Sequence, residues 1–159
     1  MLLTATNIFA GLTPVISDNP SSDDPANLTN PDFSLNYTST SKQSMSIDFG
    51  VTPEINYVAV AGINIAGNGD GTSRIRVRDG TEVIAITFLK RNHCVVLSFP
   101  ARVFVDLKIG VLNGTQDQEV TVTYVAGGNT LTVPNGGEVA GYNRQWLNRK
   151  PSNKNKDNN

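Results

Sequence analysis

Met45-Ser46-Ile47-Asp48-Phe49-Gly50 alternates, with Met45, Ile47 and Phe49 on one face and Ser44, Ser46 and Asp48 on the other. A period of two is that of a strand covering a core on one side only. Gly50-Val51-Thr52-Pro53 breaks it. Ile55-Asn56-Tyr57-Val58-Ala59-Val60-Ala61 follows and is apolar on both faces, which predicts a central strand under cover on both sides. Gly67-Asn68-Gly69-Asp70-Gly71 is a turn cluster, because Gly and Asn tolerate positive φ. Residues 73–78 then alternate again, Ile75 and Val77 inward and Arg74, Arg76 and Arg78 outward.

The same reading extends to the rest of the chain. Arg78-Asp79-Gly80-Thr81 predicts a hairpin turn, since Asp-Gly between alternating strands is a strong local turn signal. Residues 82–89 form the next strand, with Ile84, Ile86 and Phe88 opposed to Val83, Ala85 and Leu89. Residues 94–99 form another, ended by Pro100. Residues 102–109 alternate, Val103, Val105, Leu107 and Ile109 inward and Arg102, Phe104, Asp106 and Lys108 outward. Residues 110–118 read as a loop. Residues 119–125 read as a strand with Val120, Val122 and Tyr124 on one face, and Gly127-Gly128-Asn129 as a turn. No window shows sustained helical periodicity. The expectation is an all-β chain: a jelly-roll β-sandwich of about eight or nine strands with extended N- and C-terminal arms.

The organisation expected is an N-terminal strand or arm (1–16), a sandwich (17–133) and a C-terminal arm (134–159). The polar loop 17–44 is long for a compact domain, and Phe33, Leu35 and Tyr37 are its expected anchors. Residues 150–159 carry no apolar side chain apart from Pro151, too little to offset ordering entropy. Tyr142, Arg144, Trp146 and Arg149 precede or border that tail. They read either as an arm docking on a neighbour, because aromatic and Arg anchors are enriched at interfaces, or as side chains packing back on their own sandwich.

Composition narrows the function. The chain has 159 residues, net charge -1, and 7% aromatic residues. A nucleic-acid binder is usually basic, so none is expected. No apolar run of about 20 residues predicts membrane insertion. The first ten residues lack a basic start and Asn7 interrupts them, so no signal peptide is expected. Asn27, Asn36 and Asn113 stand in sequons, which chance explains in an Asn- and Thr-rich chain.

No enzyme constellation emerges: no nucleophile elbow, no phosphate loop, no convincing carboxylate pair. Cys94 is the sole cysteine and reads as a small core residue; its neighbour His93 would point to the opposite face of a strand. No cofactor is expected. Asp23, Asp24 and Asp32 offer oxygen ligands of the kind Ca²⁺ takes, against the alternative of a solvated acidic turn. The Arg74, Arg76, Arg78 stripe is the sharpest surface feature. Its guanidiniums would grip carboxylates of a partner subunit or an anionic glycan, or else simply guard a solvated sheet face.

Asn27-Leu28 with Thr38-Ser39, then Ser46-Ile47-Asp48-Phe49-Gly50, then Val58-Ala59-Val60-Ala61-Gly62-Ile63-Asn64, then Arg74-Ile75-Arg76-Val77, resembles the discoidin or galactose-binding-like β-sandwich. More narrowly, it is similar to the version in tailed-bacteriophage virion proteins. The match spans residues 26–125 and is a pattern, not a catalytic signature; where the family often has Trp, this chain has Tyr37. The resemblance implies a non-enzymatic structural virion protein of a tail, neck or capsid surface. Made in the host cytoplasm, it would bind other virion proteins and copies of itself. The alternative it implies is a carbohydrate-binding module for attachment to a host-surface glycan. Tyr37, Tyr57, Phe104 and Trp146 are then the aromatics expected to be exposed as a sugar platform.

Overall fold

The computed structural model describes residues 7–65, 72–89, 94–116 and 118–129. His93 and the C-terminal group Tyr142, Arg144, Trp146 and Arg149 lie outside the described residues. The elements are β1 (Val15–Ser17), a 3-10 helix (Pro25–Thr29), β2 (Tyr37–Thr38), β3 (Met45–Asp48), β4 (Glu54–Ala61) and β5 (Arg74–Asp79). They continue as β6 (Glu82–Phe88), β7 (Cys94–Val103), β8 (Leu107–Leu112), β9 (Thr121–Val122) and β10 (Tyr124–Gly128). A five-stranded sheet, β1-β3-β8-β5-β6, faces a three-stranded sheet, β10-β4-β7, and β2 pairs with β9. All pairings are antiparallel. The fold is an all-β sandwich.

The core follows from the alternation. Ile47, Ile109 and Val77 stand side by side across the large sheet, as do Met45, Val111 and Ile75 in the next rank, and all six are buried. Val58, Val60, Leu97 and Val125 close the core from the small sheet. As its two apolar faces predicted, β4 is the central strand of that sheet.

The N-terminal segment enters this core. Phe9 is fully buried and its ring stacks on Phe49 at 4.1 Å. It occupies the space beside Gly127, where a Cβ would overlap the ring. The pair Gly127-Gly128, read from sequence as a turn, is strand: β10 continues through it by pairing Gly127 with Val58 and Gly128 with Tyr57, and position 127 takes glycine because a Cβ there would overlap Phe9.

Three phase errors have physical causes. First, β7 does not stop at Pro100 but runs on to Val103. Its partner register is irregular between Ile55 and Tyr57, and β7 is an edge strand, where proline is tolerated. The chain then breaks at Phe104, whose N–H donates to the Pro53 carbonyl at 2.9 Å. The break inverts the alternation: Phe104 is fully buried, while Val103 and Val105 are exposed, Val105 at 78%. Second, Thr123 interrupts β9 and β10 by donating its N–H to Ala61, so Val122 and Val125 both point inward. Third, Cys94 is exposed rather than buried. On β7 the odd-numbered Val95, Leu97 and Phe99 take the inner face, leaving Cys94 outside. The segment read as a loop from Gly110 belongs partly to β8, which ends at Leu112.

Candidate functional site

The hairpin turn at Gly80-Thr81 pairs Asp79 with Glu82 and Arg78 with Val83. Continued without interruption, that register would set Arg76 opposite Ala85. A β-bulge between Val77 and Arg78 intervenes, and Arg76 faces Ile86 and Arg74 faces Phe88 instead. Bulges re-aim side chains in this way. The bulged Ile84 joins Ala85 in packing against the core. Val83, Ile86 and Phe88 are left on the outer face, each 47–49% exposed.

The outer face of the large sheet therefore carries two parallel columns. One is basic: Arg74, Arg76 and Arg78 on β5, with neighbours about 6.7 Å apart along the strand. The other is apolar: Phe88, Ile86 and Val83 on β6, one strand spacing of about 4.8 Å away. On the far side of the arginines β8 presents Leu112, Gly110 and Lys108. Gly110 stands opposite Arg76, and the Leu112 side chain packs over it, 3.3 Å from where a Cβ would sit.

Electrostatically the basic column is unsatisfied. The ion pairs among the described residues are Arg102 with Asp79 and Glu82, and Lys108 with Asp106. None involves Arg74, Arg76 or Arg78. The Nε of each of these three is buried without a hydrogen-bond partner among the described residues. Arg74 lies with its guanidinium 5.9 Å from the Phe88 ring centre. Burial, followed by the charges of Arg78 and Arg74, pushes the Arg76 pKa below its ordinary value. The sequence-predicted stripe is thus brought together on one face, half-buried rather than freely solvated.

One end of the apolar column opens into a cleft of about 340 Å³ lined by Glu82, Val83, Ile84, Pro100, Ala101 and Arg102. Its floor is rigid. The Asp79 carboxylate accepts the N–H groups of Val105 and Asp106 at 3.0 and 2.8 Å and pairs with Arg102 at 3.1 Å. The Asp106 N–H, with help from that of Val105 and from Arg102, holds the Asp79 pKa below its ordinary value.

The expected aromatic platform is corrected. Tyr37, Tyr57 and Phe104 are exposed by only 3%, 6% and 0%. Tyr37 is plugged into the sandwich with its hydroxyl donating to the Asn19 carbonyl. Phe104 is turned inward by the break that follows β7, and Tyr57 is covered on β4. None presents a ring face to a sugar. Phe33, read as an anchor, is instead 65% exposed and leans on Tyr124 with ring centres 5.4 Å apart.

The acidic loop residues serve local turns. Asp23 accepts the Thr38 N–H, Asp24 caps the 3-10 helix through Ala26, and Asp32 accepts from Ser34, which lowers its pKa. Among the described residues no group of three or more His, Cys, Asp or Glu side chains gathers as a metal site. The sequon Asn113 is 3% exposed, and its amide donates to the carbonyls of Lys42 and Gln118. It is a structural residue of the loop, closed to modification in the folded state.

Phe88, Ile86 and Val83 are the surface residues that the sequence reading missed. Apolar residues fall on both faces of β6, so its sequence does not mark which face is open, and β6 is an edge strand. The hairpin fixes the register near the turn, but nothing in the sequence announces the bulge.

No protein-family model matches the sequence, and no curated protein matches it either. Solved structures do resemble the fold. Chitosan-binding module 1 of a chitosanase/glucanase from Paenibacillus sp. IK-5 superposes with a TM-score of 0.57 at 14% identity, covering 77% of this chain and 98% of that one. The family 32 carbohydrate-binding module of C. perfringens NanJ, solved with galactose, gives 0.54 at 12% identity, covering 73% and 92%. The lectin domain of lectinolysin, solved with Lewis B antigen, gives 0.56 at 12%, covering 79% and 98%. The fold is thus the all-β sandwich that these solved modules share. At these identities the likeness extends to the fold alone, and nothing among these neighbours links the chain to virion proteins.

Proposed function

We propose that this protein is a non-catalytic carbohydrate-binding module. The observation that carries the reading is the pairing of an exposed apolar column, Val83, Ile86 and Phe88, with the guanidinium column of Arg74, Arg76 and Arg78. A pyranose ring is amphipathic in the same sense. Its C–H face packs on apolar side chains while its edge hydroxyls accept and donate hydrogen bonds, and arginine supplies a planar fork of donors. The neighbours add support: modules of this fold have been solved with galactose and with Lewis B antigen. Attachment to a host-surface glycan fits this reading; a structural place in a virion has no supporting observation on this surface.

The experiment is a screen of the full chain against an immobilised glycan panel, repeated with Phe88→Ala and with Ile86→Ser. Both side chains are half-exposed, so the variants should fold. The reading predicts at least one glycan class bound by the wild type and lost or strongly weakened in both variants. A blank panel for the wild type contradicts it.

A further inference from the structure

We infer that the outer face of the five-stranded sheet binds an acidic glycan, one bearing carboxylates or sulfates, with its chain running along β5. This inference rests on the carbohydrate-binding reading and names the ligand class of the same surface.

The argument begins with charge. In a protein of net charge -1, three arginines occupy alternate positions of one strand with no anionic partner among the described residues. Lys108 stands opposite Arg78 across the β5–β8 pair, but its own charge is balanced by Asp106, so the uncompensated charge is that of the three arginines. Like charges placed directly across a sheet repel and cost stability. By contrast, Arg102 is paired with two carboxylates and Lys108 with Asp106. Each uncompensated arginine also holds a buried Nε–H without an acceptor. Anionic oxygens arriving over the column would supply the missing charge through the terminal guanidinium nitrogens, and charge-assisted bonds from arginine forks are the strong ones.

Geometry then selects the kind of anion. An isolated small anion would be served by one arginine. Here the cations repeat along a line about 13 Å long, from two strand steps of about 6.7 Å each. An apolar column runs beside them at every step: Phe88 by Arg74, Ile86 by Arg76, Val83 by Arg78. A linear polymer with one apolar ring face and one acidic edge per repeat matches that pattern. The sheet face is open, so an extended chain can lie across it.

The test uses the full chain and calorimetry with four probes: a galacturonate hexamer, its fully methyl-esterified form, a chondroitin sulfate hexamer and inorganic polyphosphate. Binding of either acidic hexamer supports the inference when the methyl ester is at least tenfold weaker and Arg76→Gln weakens the acidic probe about tenfold. Binding of the galacturonate hexamer shows that carboxylates suffice, whereas binding of the chondroitin sulfate hexamer alone, which carries carboxylates as well, points to its sulfates. The melting temperature of Arg76→Gln is measured alongside and should be unchanged or higher, which separates lost contact from lost fold. Equal affinity for the methyl ester, undiminished affinity in Arg76→Gln, or polyphosphate binding as tight as the hexamers would overturn it. If neutral glycans bind and Phe88→Ala abolishes that binding, the acidic-ligand inference falls while the carbohydrate-binding reading stands. If no glycan binds, both fall.

Discussion

Arg76 and Ile86 stand directly opposite each other across the β5–β6 pair, both on the outer face of the large sheet, because a bulge displaces Ile84 toward the core. That one-residue shift sets an apolar column against a basic one. Without it Ala85 would face Arg76, and the exposed surface would lose its amphipathic pairing.

The arginine column should make stability depend on salt. Raising ionic strength from 0.01 to about 0.15 M shortens the Debye length from about 30 to about 8 Å. Repulsion among Arg74, Arg76 and Arg78 is then screened, and the melting temperature should rise. Arg76→Gln should be more stable than wild type at low salt, by up to about 1 kcal/mol, and show a smaller salt response. Thermal melts of both proteins across that salt range check this.

Two valines separate the observed core from the alternation read from sequence. Val60 is fully buried and Val105 is largely exposed. Val60→Asp should unfold the domain, since a charge buried without a partner costs several kcal/mol. Val105→Asp, which the sequence alternation marked as equally damaging, should change stability by less than about 0.5 kcal/mol. Circular dichroism melts of the pair distinguish the two phasings.

Much of the fold was legible because the apolar period is clean. The alternation of Met45, Ile47 and Phe49, the doubly apolar β4 and the Asp79-Gly80 turn each follow from local chemistry. The errors cluster where tertiary contacts override it. Phe104 turns inward because its backbone bonds to Pro53, and Gly127-Gly128 is strand because it pairs with β4, its glycine at 127 leaving room for Phe9. The stripe of Arg74, Arg76 and Arg78 was visible as a stripe. Its apolar companion was not, because a bulge and an open sheet edge are properties of pairing, not of one strand's composition.

Asp79 should be a source of acid sensitivity. Its pKa in the folded state lies below the ordinary value of 3.8, chiefly through the Asp106 N–H and then through those of Val105 and Arg102. A depressed folded-state pKa contributes stability that is present above the unfolded value and lost as pH falls through the folded one. Wild-type stability should therefore decline below about pH 4. Asp79→Asn should be less stable at pH 7 and show a shallower acid decline, measured by urea melts between pH 2 and 7.

The N-terminal segment should be integral to the domain. Phe9→Ala removes a fully buried ring stacked on Phe49 and should cost about 3–5 kcal/mol. Gly127→Ala should be comparably disruptive, since its methyl would collide with that ring. Urea unfolding of both variants is the check, and wild-type stability in either would remove Phe9 from the core.

Cys94 should react in the native state. It is the sole cysteine and is exposed at the start of β7. A chromogenic thiol reagent should modify one equivalent without denaturant. Protection until unfolding would restore the buried reading.

The central claim is that a glycan lies on the β5–β6 face, and amide chemical-shift mapping tests it most directly. A ¹⁵N-labelled full chain would be titrated with whichever glycan the panel identifies. The account predicts perturbations concentrated on Arg74, Arg76, Arg78, Ile86, Phe88 and Gly110. Perturbations confined to the neighbourhood of Phe33 and Tyr124, with the β5–β6 face silent, would contradict it.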